Sequence, residues 1–574
     1  MLYHYSSNKI ENNLIECNIS LFKLTFLNQQ KHTPHMNIKN IPLISATALN
    51  NAIHENSEIA IIDVREDGEF GENHLLFATP LPYSRLEIGI QSLIPRKNAH
   101  IVLCDDGKSA LAECTAMRLN QLGYSQIEIL EGGTTGWKNA GYQLFKGVNV
   151  PSKLFGELVE HAYDTPRITA DELVQLQKSG EDFVLFDGRP VNEHQKMTIP
   201  GSICIPNAEL PYRVPTIVKN PNTKIIVNCA GRTRSILGAQ TLINFGIPNP
   251  TFALENGTQG WFLADYPLEY GANRRYSDTV DATLLPKQKK AAESLMHRFE
   301  IKTIDTNTIN DWQKETNRTT YFCDVRTPEE FAENHIPGSQ NCPGGQLIQA
   351  TDQWVGIRGS RIVLIDSGEM VRAPVVASWL YQLGHEVYVL QNGIKSTLKI
   401  KELEPIKLPK FPLISSKQLS INLSQNDCII FEIRSSMEYR NAHIPGSQWS
   451  WRTRIITDVK NSLIAKNINN ELIPIILVAD QILLAELVAL DLQNAQITNI
   501  KILDGGFQSW THEGYPTEST SEYPSDNDCV DYLFFVHDRH AGNREAMKAY
   551  LSWETGLMAQ MTDDEKKLFR IPQS

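Results

Sequence analysis

The strongest constraint on this chain is an internal repeat. One pattern returns four times: an apolar run ending in an acid, one further residue, an arginine, then a helix start. It reads IAIIDVREDGEFGENH, with Asp63, Arg65, Glu69 and His74, and FVLFDGRPVNEHQKMTIPGS, with Asp187, Arg189, Glu193 and Pro200-Gly201. It returns as YFCDVRTPEEFAENHIPGS, with Asp324, Arg326, Glu330 and His335, and as IIFEIRSSMEYRNAHIPGS, with Glu432, Arg434, Glu438 and His443. A second apolar run follows in each unit: HIVLCDDGKSA, KIIVNCAGRTRS, RIVLIDSGEMVRAP and PIILVADQILLAE. A third signal closes three units at Trp137, Trp261 and Trp510, while the remaining one has only LQNGI with Gly393. Strands alternating with helical patterns predict an α/β fold, a parallel sheet flanked by helices, built four times.

The signals place the units at 41–147, 160–272, 300–400 and 412–518. Residues 273–299, charged and rich in Ala, Leu and Lys, read as a linker helix, and Lys401 to Pro412 as an extended linker with three prolines. Residues 1–40 read as a disordered extension, with Met1 and Met36 both standing as candidate starts. In the tail, 519–574, Leu533 to Val536 is a strand-like run and Ala546 to Leu557 has helical spacing, expected to dock on one of the repeats. His537, Asp538, Arg539 and His540 read as a polar turn capping that helix rather than as a metal site.

A net charge of −12 removes any bulk electrostatic case for binding nucleic acid. No run of about 18 apolar residues predicts a membrane span. The nine cysteines are scattered and contain no Cys-x-x-Cys pair, which argues against a zinc site or disulfide framework and for a reducing compartment, the cytoplasm. No metal or organic cofactor is implied.

The chemistry concentrates at KIIVNCAGRTRSIL. Ile225 to Val227 read as a buried strand, and Ile236 to Phe245 as a helix closed by Gly246. Cys229 therefore lies at the carboxyl end of a strand, on a tight loop opening a helix, the edge where α/β sheets bind ligands. Such a loop aims backbone N–H groups inward, and the helix start adds partial positive charge. Arg232 and Arg234 add two full charges, and all of these favour thiolate over thiol. Cys229 is thus the candidate nucleophile, and Ala230, Gly231, Arg232, Thr233, Arg234 and Ser235 the candidate substrate cradle. The alternative is a structural cysteine buried at a strand end. Cys17, Cys114, Cys204, Cys323, Cys342, Cys428 and Cys529 lack such a cradle.

These residues resemble the rhodanese family of sulfurtransferases. That family carries sulfur as a persulfide on the cysteine of a Cys-x-x-x-x-Arg loop, here Cys229 to Arg234, and has an early Asp-x-Arg motif before a His-Ile-Pro-Gly turn. The related phosphatases use a loop one residue longer, which disfavours a phosphatase or arsenate reductase. The resemblance implies tandem rhodanese-like domains over roughly five-sixths of the chain, and a sulfurtransferase acting on a small-molecule donor such as thiosulfate and an acceptor such as cyanide or a thiol, including a protein thiol. The two arginines favour an anionic inorganic donor. In unit one, Cys104 is a possible second nucleophile, but Asp105 and Asp106 beside it oppose its ionisation, and Ser109 replaces the arginine. Unit three has Asp366 in place of the cysteine and keeps Arg372; unit four has Ala479 or Asp480 and no arginine. Three degenerate copies of four also fit a non-catalytic, regulatory scaffold. Asp187 and Arg189 read as structural support, pairing at a strand end, and Glu193 and His194 are candidates for lining the cleft.

Overall fold

The apolar runs become the inner strands of four five-stranded sheets, each wholly parallel and each with the same strand order. This computed structural model describes residues 41–55, 57–467 and 473–572, so the extension expected over 1–40 lies outside the described residues. In the second unit the strands are β1 (Arg167–Ile168), β2 (Phe183–Asp187), β3 (Ile203–Cys204), β4 (Lys224–Asn228) and β5 (Thr251–Leu254), ordered β1-β5-β4-β2-β3. The central strand β4 is covered on both faces, which is why it reads as unbroken apolar sequence rather than as an alternation. Five helices matter below: α1 (Val150–Tyr163), α2 (Val191–Lys196), α3 (Thr233–Asn244), α4 (Gly257–Leu263) and α5 (Arg544–Gly556).

The repeated acid-x-Arg is a splice. Arg189 donates to both carboxylate oxygens of Asp187, at 2.9 and 2.6 Å, and to the Met197 carbonyl at 2.7 Å. Thr198 and Asn228 complete the shell of that carboxylate. Arg65 reaches the Asn73 carbonyl, Arg326 that of Asn334 and Arg434 that of Ala442 in the same way. Each pair ties a strand end to the end of the next helix in the interior. The closing tryptophans are buried too, with indole N–H groups on the carbonyls of Gln143, Pro267 and Pro516.

One expected element needs correction, and one expected boundary falls inside a helix. Unit two was expected to begin at 160, which falls inside α1. Pro151 at the first turn and apolar residues at helical spacing (Val150, Leu154, Val159) build this helix, and their side chains are buried. The expected strand at Leu533 to Val536 is instead a helical turn, Phe534–His537. Leu533 and Val536, three apart, share one face and pack with Tyr550 of α5; a strand would have put them on opposite faces. Within 273–299 a helix spans Leu285–Arg298, and residues 401–412 contain neither helix nor strand. No helix among the described residues is long and apolar enough to cross a membrane.

Buried charge joins the units. Arg452 of unit four is fully buried and pairs with Glu87 of unit one at 2.5 Å and with Asp491 at 2.7 Å. Burial alone would raise the Glu87 carboxyl above its usual 4.5, but Arg452 and then Arg118 outweigh it and hold it at about 2. A depressed pKa stabilises the fold above about 4.5, and the contribution is lost as pH falls towards about 2. Arg452→Met should therefore destabilise the chain at neutral pH by about 3–5 kcal/mol, because Glu87 and Asp491 lose their buried partner. In denaturant unfolding across pH, the gap between wild type and variant should narrow below about pH 4.5. A gap that stays constant there would show that ionisation of Glu87 is not what Arg452 answers.

Candidate active site

Cys229 is the first residue after β4, and α3 begins at Thr233. Both neighbouring turns shape the loop. Thr258 N donates to the Cys229 carbonyl at 2.8 Å, and Gln259 N to that of Ala230 at 3.1 Å. Only glycine fits at Gly257, where φ is +54° and a Cβ would lie 2.3 Å from the Cys229 carbonyl oxygen. The carbonyls are thus consumed, while the N–H groups of Ala230, Gly231, Arg232, Thr233 and Arg234 have no acceptor among the described residues. Thr233 and Arg234 open α3, so no acceptor exists for them within the helix. Unpaired donors on one tight loop at a helix start make an anion-binding concavity behind the buried Cys229. Ser235 Oγ and both side-chain polar atoms of Gln259 are also buried there without partners.

The two arginines do not act as expected. Arg232 turns to α1, donating to Glu157 at 2.8 and 2.9 Å and to Glu160 at 2.6 Å. Arg234 forms a two-pronged pair with Glu193 of α2, at 2.7 and 2.8 Å. Burial opposes the charge on Arg234, but Glu193, and behind it Cys229 and Asp187, outweigh burial and push its pKa up. Burial likewise opposes the charge on Glu193, but Arg234 holds that carboxyl at about 2. Arg234 is thus held against α2, whereas Arg232 serves the contact with α1. Neither arginine offers the uncompensated charge that the case for an anionic inorganic donor assumed. Of the two cleft candidates, Glu193 reaches the site through Arg234, while His194 pairs with Ser202 in the network around Asp187.

Three further residues at this site come from outside the expected unit. Lys153 lies on α1, and Tyr550 and Glu554 on the tail helix α5. Glu554 is fully buried, accepts from Thr233 Oγ1 at 2.8 Å and pairs with Lys153 at 3.1 Å. Arg544 anchors α5 on the carbonyls of Phe262 and Leu263 at the end of α4. The tail turn is drawn in as well. His540 is placed among Arg539, Glu193, Lys196 and Arg189; burial, then Arg539, brings its pKa down to about 3. The amphipathic spacing of α1 and α5 is in the sequence, but not which unit they serve.

Strand register corrects the reading of unit one. The acid of each acid-x-Arg pairs across the sheet with one residue of the second run: Asp63 with Cys104, Asp187 with Asn228, Asp324 with Ile365, and Glu432 with Val478. Cys104 is therefore the counterpart of Asn228, and the nucleophile's position belongs to Asp105. Cys104 is a core side chain whose pKa is pushed well up, first by burial and then by Asp63. The Asp105 carboxylate accepts from Gly107 N at 2.8 Å and Ala112 N at 3.1 Å, and Asp106 takes Lys108 N and Ser109 N. In unit three, Asp366 takes Ser367 N at 2.7 Å, Arg372 N at 2.8 Å and Ala373 N at 3.1 Å. Unit four holds Ala479 at this position, and its helix starts at Ile482.

Comparison with known proteins bears on the family of the four repeats. The rhodanese-like domain family matches at residues 45–140, 169–264, 305–399 and 415–513. The crystal structure of thiosulfate sulfurtransferase from Pseudomonas aeruginosa is 38% identical, with a TM-score of 0.84, over 93% of this chain and 100% of that one. A rhodanese-related protein from Thermoplasma volcanium is 28% identical over 18% of this chain and 97% of its own, with a TM-score of 0.16. No curated protein matches.

The register makes a simple prediction. Iodoacetamide should modify Cys229 in the folded protein, and Cys104 only after unfolding, as followed by peptide mass spectrometry. Modification of Cys104 at a comparable rate in the folded chain would contradict its placement in the core.

Proposed function

The chain belongs to the rhodanese-like family, and from that membership and the Cys229 loop we propose a sulfurtransferase that carries sulfur as a persulfide on Cys229. One observation carries the reading: of four equivalent loops, this one alone joins a cysteine at the nucleophile's position to backbone donors that the protein leaves unpaired. The Cys229 thiolate attacks the outer sulfur of a donor such as thiosulfate. That S–S bond breaks, and sulfite leaves with the electron pair. The loop N–H groups, with Arg234 held in place by Glu193, stabilise the anionic outer sulfur of the persulfide. Cyanide, a small thiol or a protein thiol then attacks this sulfur and releases the thiolate. The two half-reactions balance without an electron carrier, and make a covalent, ping-pong cycle. A reducing compartment such as the cytoplasm suits the described cysteines, which form no disulfide among the described residues.

The filled or shortened loops of units one, three and four support a second role for those copies, that of framework. Arg372 of unit three, for example, reaches Glu209 of unit two at 3.1 Å. A phosphatase reading is disfavoured by the spacing from Cys229 to Arg234.

Incubation with thiosulfate should raise the intact mass by one sulfur, about 32 Da, and Cys229→Ser should abolish the gain. A gain that survives this substitution would sink the proposal. Arg234→Ala should slow turnover of thiosulfate roughly 10- to 150-fold, the equivalent of about 1.5–3 kcal/mol for a charge-assisted contact. Arg232→Ala, which loses contacts to α1 rather than to the sulfur, should cost thermal stability first. Equal kinetic losses in the two variants would refute this division of roles.

A further inference from the structure

Glu554 of α5 reaches the Cys229 cradle from the far end of the chain. Oε1 is held by Thr233, the first residue of α3, and by Lys153. Oε2 is buried without a hydrogen-bond partner. It lies 2.9 Å from the point that a side chain on Gly231 would occupy, and Tyr550 flanks the same point at 3.4 Å. An unsatisfied carboxylate oxygen thus faces the second residue after the sulfur. Three of the basic groups here are paired with acids, Arg232 with Glu157 and Glu160, Arg234 with Glu193, and Lys153 with Glu554, while Arg539 lies over the Tyr550 ring and donates to the Val536 carbonyl. A doubly charged anion entering this cradle meets backbone donors, but also a buried negative charge. Burial favours the neutral acid, yet Lys153, with Thr233 and Arg539, outweighs it and keeps Glu554 ionised.

We propose that Glu554 is a specificity-determining residue: its carboxylate engages Lys153 and repels doubly charged donors, so the site favours sulfane sulfur carried by a neutral or singly charged organic persulfide. The proposal rests on the reading of Cys229 as the sulfur carrier. With such a donor, the Cys229 thiolate attacks the terminal sulfur of R–S–SH. The S–S bond breaks, R–S⁻ leaves with the electron pair, and the proton stays on the transferred sulfur. The free Oε2 is then an acceptor for that S–H, which thiosulfate does not possess.

The test uses the full chain as wild type, Glu554→Gln and Glu554→Asp. Cys229 is alkylated by iodoacetate, an anion, and by iodoacetamide, its neutral counterpart of similar size. Glu554→Gln should raise the ratio of the iodoacetate rate to the iodoacetamide rate at Cys229 by roughly fivefold or more, as expected when one nearby charge is removed from a shielded site. Its KM for thiosulfate should fall by a similar factor while kcat changes little. Glu554→Asp, which keeps the charge, should not raise the alkylation ratio. An unchanged ratio in Glu554→Gln, a KM for thiosulfate that holds or rises, or an equal rise in both variants would overturn the proposal, the last by assigning the effect to packing. The alkylation ratio is read without turnover. Failure of the sulfurtransferase reading would instead appear as wild-type Cys229 taking up no sulfur.

Discussion

A parallel strand that feeds a tight loop into a helix leaves backbone N–H groups with nothing to bond. Each repeat of this chain must settle that debt, and the settlements differ. Units one and three place an aspartate at the critical position and let its carboxylate take the donors: Asp105 holds Gly107 N and Ala112 N, and Asp366 holds Ser367 N, Arg372 N and Ala373 N. Unit four has Ala479 at the critical position and starts its helix at Ile482, one residue sooner than unit two does, with neither thiol nor carboxylate at the strand end. Unit two keeps the loop, puts Cys229 where the aspartates stand, and leaves the donors free. The aspartates show what the loop is shaped to hold: a small anionic group attached at the strand end. A persulfide on Cys229 is a group of that kind.

The same logic accounts for the charges around the cradle. A buried guanidinium or ammonium without a partner would cost several kcal/mol, so the protein supplies partners from whatever element lies close. The partners fix the geometry of the loop. Glu157 and Glu160 hold the residue before α3, Glu193 holds the Arg234 guanidinium, and Glu554 holds the first hydroxyl of α3. The site is rigid because it is paired, and the pairing removes the net positive charge that two arginines in the sequence suggest. Attraction for the donor then falls to oriented backbone dipoles, which are not neutralised by side chains and need no reorganisation as sulfur is transferred.

Much of this was legible beforehand, and the exceptions share a cause. Four parallel sheets follow from a period that repeats strand, acid-x-Arg and strand, and Cys229 stands out by its spacing to Arg234. Register was harder: HIVLC and KIIVN align by eye with the cysteine a residue out of place, and only pairing of Asp63 with Cys104 and Asp187 with Asn228 decides it. A slip of one residue moves a side chain from the site to the core. The partners of the arginines were invisible because Glu157 is 75 residues from Arg232, and Glu554 is 321 from Thr233. The tail turn at Phe534–His537 misled because four apolar residues in a row suit either state, and contact with α5 selects the helix.

The distances in sequence bear on why a single complete loop sits within so long a chain. Helix α3 has ten of its twelve residues buried, more than one sheet face can cover, and the surplus is packed by α1 and by unit three, where Trp379 donates to Thr241 at 2.8 Å. The loop in front of α3 is held by α1 on one side and α5 on the other. Unit two cut out at its sheet boundaries would lose Lys153, Glu157, Glu160 and Glu554 together. It would expose the apolar back of α3 and leave Arg232 unpaired at the mouth of the site. The cradle would persist in outline, since β4, Gly257 and the acid-x-Arg splice are internal to the unit, but its electrostatics would be those of an open, positively charged loop. The degenerate copies and the tail therefore set the charge and shape of a site whose reacting atom they do not contain.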